Sequence, residues 1–183
     1  ILSTVSHGHT NTYYPLMQKF NYVICMATID SVRYFLDASQ PYLGFGKLPD
    51  YVYNGHARAV SKSFDILYFN PDTLRESSVT SVFLFNDEAK PGRWVGSYTD
   101  NFGYSESGTI RRYIAENGKE GIEKIMKKRF TEGYSVSDFE WENENQRDNS
   151  VKLKYKITIE PAEDPDLIYL NPMISGEYKE NPF

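Results

Sequence analysis

Phe20-Asn21-Tyr22-Val23-Ile24-Cys25, followed after a short turn by Tyr34-Phe35-Leu36-Asp37-Ala38-Ser39-Gln40-Pro41, is the stretch whose reading decides the fold of the N-terminal part. Residues 20 to 29 are apolar or β-branched almost throughout, Asp30-Ser31 is a turn-prone pair, and residues 32 to 37 form a second apolar run. That order is a hairpin signal. A two-residue turn sets Ile24 opposite Asp37. Opposed residues on paired strands point to the same face, as do residues two apart on one strand, so Tyr22 shares the Asp37 face and Asn21 points the other way. The single cysteine, Cys25, lies on the Asn21 face and is expected to be a small buried hydrophobe of the strand.

The hairpin, with Pro41-Tyr42-Leu43-Gly44-Phe45-Gly46-Lys47-Leu48-Pro49 and Asn54-Gly55 after it, resembles the second half of a transglutaminase-like, papain-type catalytic domain. In that superfamily a histidine opens the first strand of such a hairpin, commonly as Phe-Asn-His, and an apolar-Asp-Ala/Pro-Thr/Ser tetrapeptide closes the second. Alignment on Phe20-Asn21 puts the family's histidine position on Tyr22 and its aspartate on Asp37. The strand parity selects the same two residues. The family's nucleophilic cysteine sits on a helix before the strand that Ile1-Leu2-Ser3-Thr4 matches, so the resemblance implies that it precedes residue 1.

Downstream the resemblance is looser. Gly103-Tyr104, Arg111-Arg112 and Asn181-Pro182-Phe183 fit, in order, the outline of exported proteins of Bacteroides-type bacteria that set a transglutaminase-like domain between two β-rich domains. It implies a periplasmic or otherwise exported protein. The chain opens on Ile1 without an initiator Met, so it is expected to have been processed or cut from something longer.

Proton chemistry decides what tyrosine does at the histidine position. A cysteine nucleophile needs a neighbouring base that exchanges a proton near neutral pH, and imidazole, with an ordinary pKa of about 6.5, does so. A phenol, with an ordinary pKa of about 10, is a poor replacement. The site residues implied by the resemblance are therefore Asp37 and a substituted Tyr22, with no cofactor and no metal.

Composition narrows the classes further. A formal net charge of −5 argues against non-specific nucleic-acid binding, which needs a basic face. No apolar run approaches the ~20 residues of a membrane span. One cysteine excludes an intramolecular disulfide. The 15 Tyr and 11 Phe suit half-exposed strands and ligand surfaces alike. No G-x-G-x-x-G, Walker A, H-E-x-x-H, G-x-S-x-G or paired C-x-x-C pattern occurs.

The expected class is α+β, mostly antiparallel β with a two-helix insertion. Residues 1–56 form the remnant of a papain-like sheet, and residues 57–183 form a β-rich domain with helices near 107–130. Ser6 to Thr12 reads as a polar loop; its His7-x-His9 pair could hold a metal only with a third ligand, and His56 is the one other histidine. Val79–Phe85 and Trp94–Thr99 read as paired strands. Ser107 is expected to cap a helix with Ile110, Tyr113 and Ile114 on its apolar face, ended by Gly118. A second helix over 119–130 carries Ile122, Ile125, Met126 and Phe130 on one stripe. Strict alternation over 135–145 puts Val136, Asp138, Glu140, Glu142 and Glu144 on one face. Over 151–159 it turns Lys152, Lys154 and Lys156 outward, so an acidic row meets a lysine row and serves as surface pairing and not as a calcium site. Leu167–Leu170 reads as a short strand and the Pro-rich end as a linker. Trp94 and Trp141 are expected in the core, and Asp30, Asp37 and Asp50 are not read as paired glycosidase carboxylates.

Three functions compete. The first is a catalytically inactive transglutaminase-like domain with a binding or scaffolding role, partnered by the N-terminal part of the same polypeptide or by a second copy. The second is an active cysteine peptidase or acyl transferase with its nucleophile upstream, completed by Tyr22, His7 or His9. The third is a β-rich module that binds peptide or glycan.

Overall fold

The computed structural model describes residues 1–14, 16–61, 65–130 and 133–160. Among them are two α-helices and eight β-strands in antiparallel sheets, an α+β fold that is mostly antiparallel β. The chain divides into two compact units that interleave in sequence. Among the described residues, the first takes those of 1–77, 103–109 and 145–150; the second takes those of 78–102, 110–144 and 151–160. The sequence boundary at 56/57 falls inside a strand, because β3 (Gly55–Arg58) pairs with β4 (Ile66–Phe69), and residues 57–77 belong to the first unit.

In the first unit β1 (Cys25–Ile29) and β2 (Val32–Leu36) pair antiparallel from Ile29 opposite Val32 to Cys25 opposite Leu36. Asp30 and Ser31 both have positive φ, 48° and 67°, the backbone of the tight turn that matches strand twist. Leu2 lies between the strands' extensions, bridging Tyr22 on one side and Ala57 of β3 on the other. It is the centre of a core with Leu48, Val52, Ala57 and Phe69, against which Tyr22, Ile24, Phe35, Tyr53 and Leu67 pack. Cover on the hairpin is partial on both faces: Ile24 and Phe35 pack against this core while Met26 beside them is 41% exposed, and on the other face Tyr34 meets the ring of Phe45. Cys25, with Val23 at 71% exposure, lies on that other face and is exposed, which corrects the expectation of a buried thiol. An apolar run names a strand but not which of its two faces meets the core.

In the second unit four strands run in the order β5-β6-β8-β7: β5 (Val79–Asn86), β6 (Trp94–Asn101), β7 (Tyr134–Glu142) and β8 (Lys152–Ile159). Ile122 and Met126 of α2 (Lys119–Arg129), with Phe130, bury against Tyr98, Val136, Leu153, Tyr155, Ile157 and Ile159. Ile125, expected on the same stripe, is 50% exposed. Trp94 and Trp141 pack against this core, as the sequence predicts.

Two local readings are corrected. The first helix, α1 (Tyr104–Asn117), starts three residues before Ser107, which is fully buried inside it. Its first-turn amides are satisfied by a carboxylate from elsewhere: Glu76 Oε1 accepts from Ser105 N at 3.0 Å and from Glu106 N at 3.3 Å. An acid at the positive end of the helix does what a local cap would have done. The second correction is β7. Its pairing with β8 shifts register between Ser137 and Glu140, with Asp138 at φ 54°. This bulge changes the strand's phase, so Val136 before it and Phe139 and Trp141 after it all reach the core. The acidic residues meet the lysines as expected: Glu142 pairs with Lys154 at 2.9 Å and Lys152 at 3.5 Å, and Asp138 with Lys156 at 2.7 Å. The strand read at Leu167–Leu170, the Pro-rich end and Asn181-Pro182-Phe183 lie outside the described residues.

Candidate functional site

The hairpin register carries Tyr22 and Asp37 to one face of the first unit. Tyr22 is fixed through its backbone, giving its carbonyl to Leu2 N at 3.0 Å and its amide to Leu2 O at 3.1 Å. Its phenol then donates to Asp37 Oδ2 at 2.6 Å. Asp37 follows the last residue of β2, and its other oxygen, Oδ1, accepts from Ser39 N at 2.9 Å and Ser39 Oγ at 2.7 Å. An aspartate that binds the chain two residues on folds its own loop, so both carboxylate oxygens are committed.

Three further groups close on the phenol. Ser39 Oγ lies 2.8 Å from Tyr22 Oη and Tyr51 Oη lies 3.1 Å from it. Gln40 Nε2 donates to Tyr51 Oη at 2.9 Å and reaches Tyr22 Oη at 3.4 Å. Because the Tyr22 proton goes to Asp37, the Tyr51 hydroxyl is the donor to Tyr22, and the protons run from Gln40 through Tyr51 and Tyr22 to the carboxylate. The two rings meet edge to face, with centroids 5.6 Å apart. Burial, followed by the Tyr22 hydrogen bond and the charges of Asp37 and Asp50, pushes the Tyr51 phenol above its ordinary pKa. The cluster therefore contains two phenols, a carboxylate, a hydroxyl and a carboxamide, residue types whose ordinary pKa values lie far from neutrality.

Two of the three histidines are engaged elsewhere in the unit. His7 Nε2 lies 3.1 Å from the Gln18 carbonyl. His56 is buried, with Nδ1 2.8 Å from Thr10 Oγ1 and the ring of Phe20 against its edge. Burial first, and the Arg58 charge second, hold the His56 imidazole below its usual pKa. Among the described residues, no three His, Cys, Asp or Glu side chains are placed to hold a metal ion. Asp50 caps its neighbour, accepting from Tyr51 N at 2.8 Å, and Asp30 sits in the hairpin turn.

Two concavities border the hairpin. A cleft of about 550 Å³ opens beside Asp37 and Gln40, with Phe45, Lys47 and Arg147 on its walls. Its far wall is made by the return of the chain at 145–150: Asp148 Oδ1 accepts from Phe45 N at 2.9 Å. A groove of about 360 Å³ is lined mostly by apolar residues, among them Val23, Ile24, Met26, Phe35, Leu67 and Phe69, with Arg58 and Ser61 at its wall.

Of the residues singled out in sequence, Tyr22 and Asp37 are brought together; Cys25 sits on the opposite face of the strand. Sequence reading missed Ser39, Gln40 and Tyr51. The Asp37-x-Ser39 spacing is a turn signal that could have found Ser39; Tyr51 stands 11 residues after Gln40, across a loop that leaves no periodic mark. Comparison of the chain with models of known protein families, with curated proteins and with solved structures found no match.

Proposed function

We propose that this chain is the second half of a transglutaminase-like domain with the β-rich region that follows it, from an exported multidomain protein, and that it serves binding or scaffolding and not catalysis. The observation that carries the reading is the 2.6 Å hydrogen bond from Tyr22 to Asp37. In a thiol enzyme of this kind the aspartate orients an imidazole that takes and returns a proton. Tyrosine at that position preserves the orienting bond and removes the base. The placement of Leu2 beside Tyr22, where the resemblance expects a preceding strand, supports the same reading.

The two concavities supply the binding surfaces. The apolar groove over Ile24, Met26 and Phe35 is where the missing half of the domain would pack, since an uncovered apolar patch of this kind tends to find a partner. The cleft beside Asp37, with exposed Phe45 and the cations Lys47 and Arg147, fits a peptide or glycan.

Incubation with activated peptide esters and amides tests the catalytic half of the reading. The expected result is no turnover above the uncatalysed rate. Turnover that Cys25→Ala abolishes would overturn it. A panel of immobilised peptides and glycans tests the binding half, with retention lost in Phe45→Ala; no retention on any member would leave scaffolding through the apolar groove as the surviving role.

A further inference from the structure

The sheet of the second unit has two edge strands, β5 and β7, and they are built differently. β7 carries Asp138, Glu140 and Glu142 and is broken by the bulge at Asp138. Charge and a bulge are what keep an edge from pairing with another chain. β5 has neither. From Val79 to Asn86 it reads Val-Thr-Ser-Val-Phe-Leu-Phe-Asn, with no charged residue, no proline and unbroken pairing to β6. Val79, Phe83 and Phe85 share its outer face and are 53%, 61% and 65% exposed, while Val82 and Leu84, of the other parity, pack against the core.

The direction of the open hydrogen-bonding groups follows from one bond. Asp87 N donates to the Arg93 carbonyl at 2.8 Å, one step beyond the ladder pair Asn86–Trp94. In an antiparallel ladder every second residue turns its N–H and C=O to the same neighbour. Phe85, Phe83, Ser81 and Val79 therefore turn theirs to β6, and Leu84, Val82 and Thr80 turn theirs to the open edge. Among the described residues no strand lies on that side.

We propose that this edge pairs with the same edge of a second copy of the chain, antiparallel about a two-fold axis at Val82. The outward-turned residues must oppose one another, which limits the registers to steps of two. With Val82 opposite itself, Thr80 faces Leu84, Ser81 faces Phe83 and Val79 faces Phe85. Of the two adjacent allowed registers, Val82 opposite Leu84 sets Asp87 against Val79, and Val82 opposite Thr80 sets Phe85 against Ser77, outside the strand, and shortens the paired stretch to residues 79–83. The Val82-centred pairing keeps uncharged residues against uncharged ones, which matters for a chain of net charge −5. It also places apolar cross-strand pairs on the outer face, where such pairs stabilise a sheet. An edge that complements itself closes in a two-fold and consumes both open rows. The guarded β7 edge then stops the sheet at two copies.

Light scattering on the full chain over a concentration series tests the proposal. A mass twice the chain's 21.2 kDa is expected, returning to the single-chain mass in Phe83→Glu with unchanged circular dichroism. A second variant removes dependence on that result: Ser81→Cys with Phe83→Cys, in a Cys25→Ala background. Opposed residues that do not exchange hydrogen bonds lie within disulfide reach, so oxidation should lock a covalent dimer. Wild-type protein that stays monomeric throughout overturns the proposal, as does a dimer that Phe83→Glu leaves intact and the cysteine pair fails to lock. Capture of an unrelated extended peptide along β5 by a monomer also overturns it, since the edge would then serve another chain.

Discussion

Asp148 accepts the backbone amide of Phe45 at 2.9 Å, joining two loops that are 103 residues apart in sequence. The contact also fixes the residue before Phe45. A β-carbon on Gly44 would lie 2.6 Å from Asp148 Oδ1 and 2.8 Å from the Arg147 carbonyl, so the loops close only over glycine.

Gly44→Ala should destabilise the first unit by about 1–3 kcal/mol, the usual cost of forcing extra volume into a closed contact. Urea unfolding followed by tyrosine fluorescence reads it. Asp148→Asn, which keeps an acceptor for Phe45 N, should cost less than Asp148→Ala.

Tyr22→Phe removes the donor to Asp37 and the oxygen on which Tyr51 and Gln40 converge, while leaving the ring in its core contact. A hydrogen bond to a charged group contributes about 1.5–3 kcal/mol when buried, and this one is partly exposed, so about 1 kcal/mol is expected. Tyr22→His, which can donate to the same carboxylate, should recover part of the loss. Equal destabilisation in both variants would mean that ring packing and not the hydroxyl holds the site.

His56 predicts a stability that falls on mild acidification. Its folded-state pKa is lowered by burial, so the unfolded chain binds more protons once the pH drops below the ordinary imidazole value of about 6.5. Stability is full above that value and is lost as the pH falls towards the lowered folded pKa, below which the term is constant. Thermal unfolding at a series of pH values should show this loss in wild type and a flatter profile in His56→Asn. The paired carboxylates Glu142 and Glu144, also held below their usual pKa, first by Lys154 and Lys119 respectively, act in a separate window below about 4.5.

Glu76→Ala should fray the start of α1, because two first-turn amides lose their acceptor. The cost is expected at about 1 kcal/mol, that of losing a helix cap. Hydrogen exchange should show faster exchange at Ser105 and Glu106 and unchanged protection towards Asn117.

The hairpin was legible because its information is local: a two-residue turn and a period of two suffice to place Tyr22 beside Asp37. Which of its residues meet the core was not, since Val23 and Cys25 are as apolar as Ile24 and only the position of Leu2 separates them. The Asp138 bulge was hidden for a related reason. One inserted residue leaves composition and alternation intact while bringing Val136 before it to the same face as Phe139 and Trp141 after it. Glu76 could not be seen as a cap because its helix begins far along the chain, and Tyr51 joined the site through a loop without periodicity. Sequence reading reached the pairings that adjacent segments make and missed those that distant segments supply.

The interleaving of the two units has a consequence for synthesis. Residues 145–150 complete the first unit, and they leave the ribosome after most of the second unit has already been made. The Phe45 amide therefore waits for Asp148 through about 100 residues of elongation, several seconds to tens of seconds at ordinary translation rates. No single cleavage between Ser78 and Glu144 releases a finished first unit, so the nascent chain has no early point at which it can fold one part and set it aside.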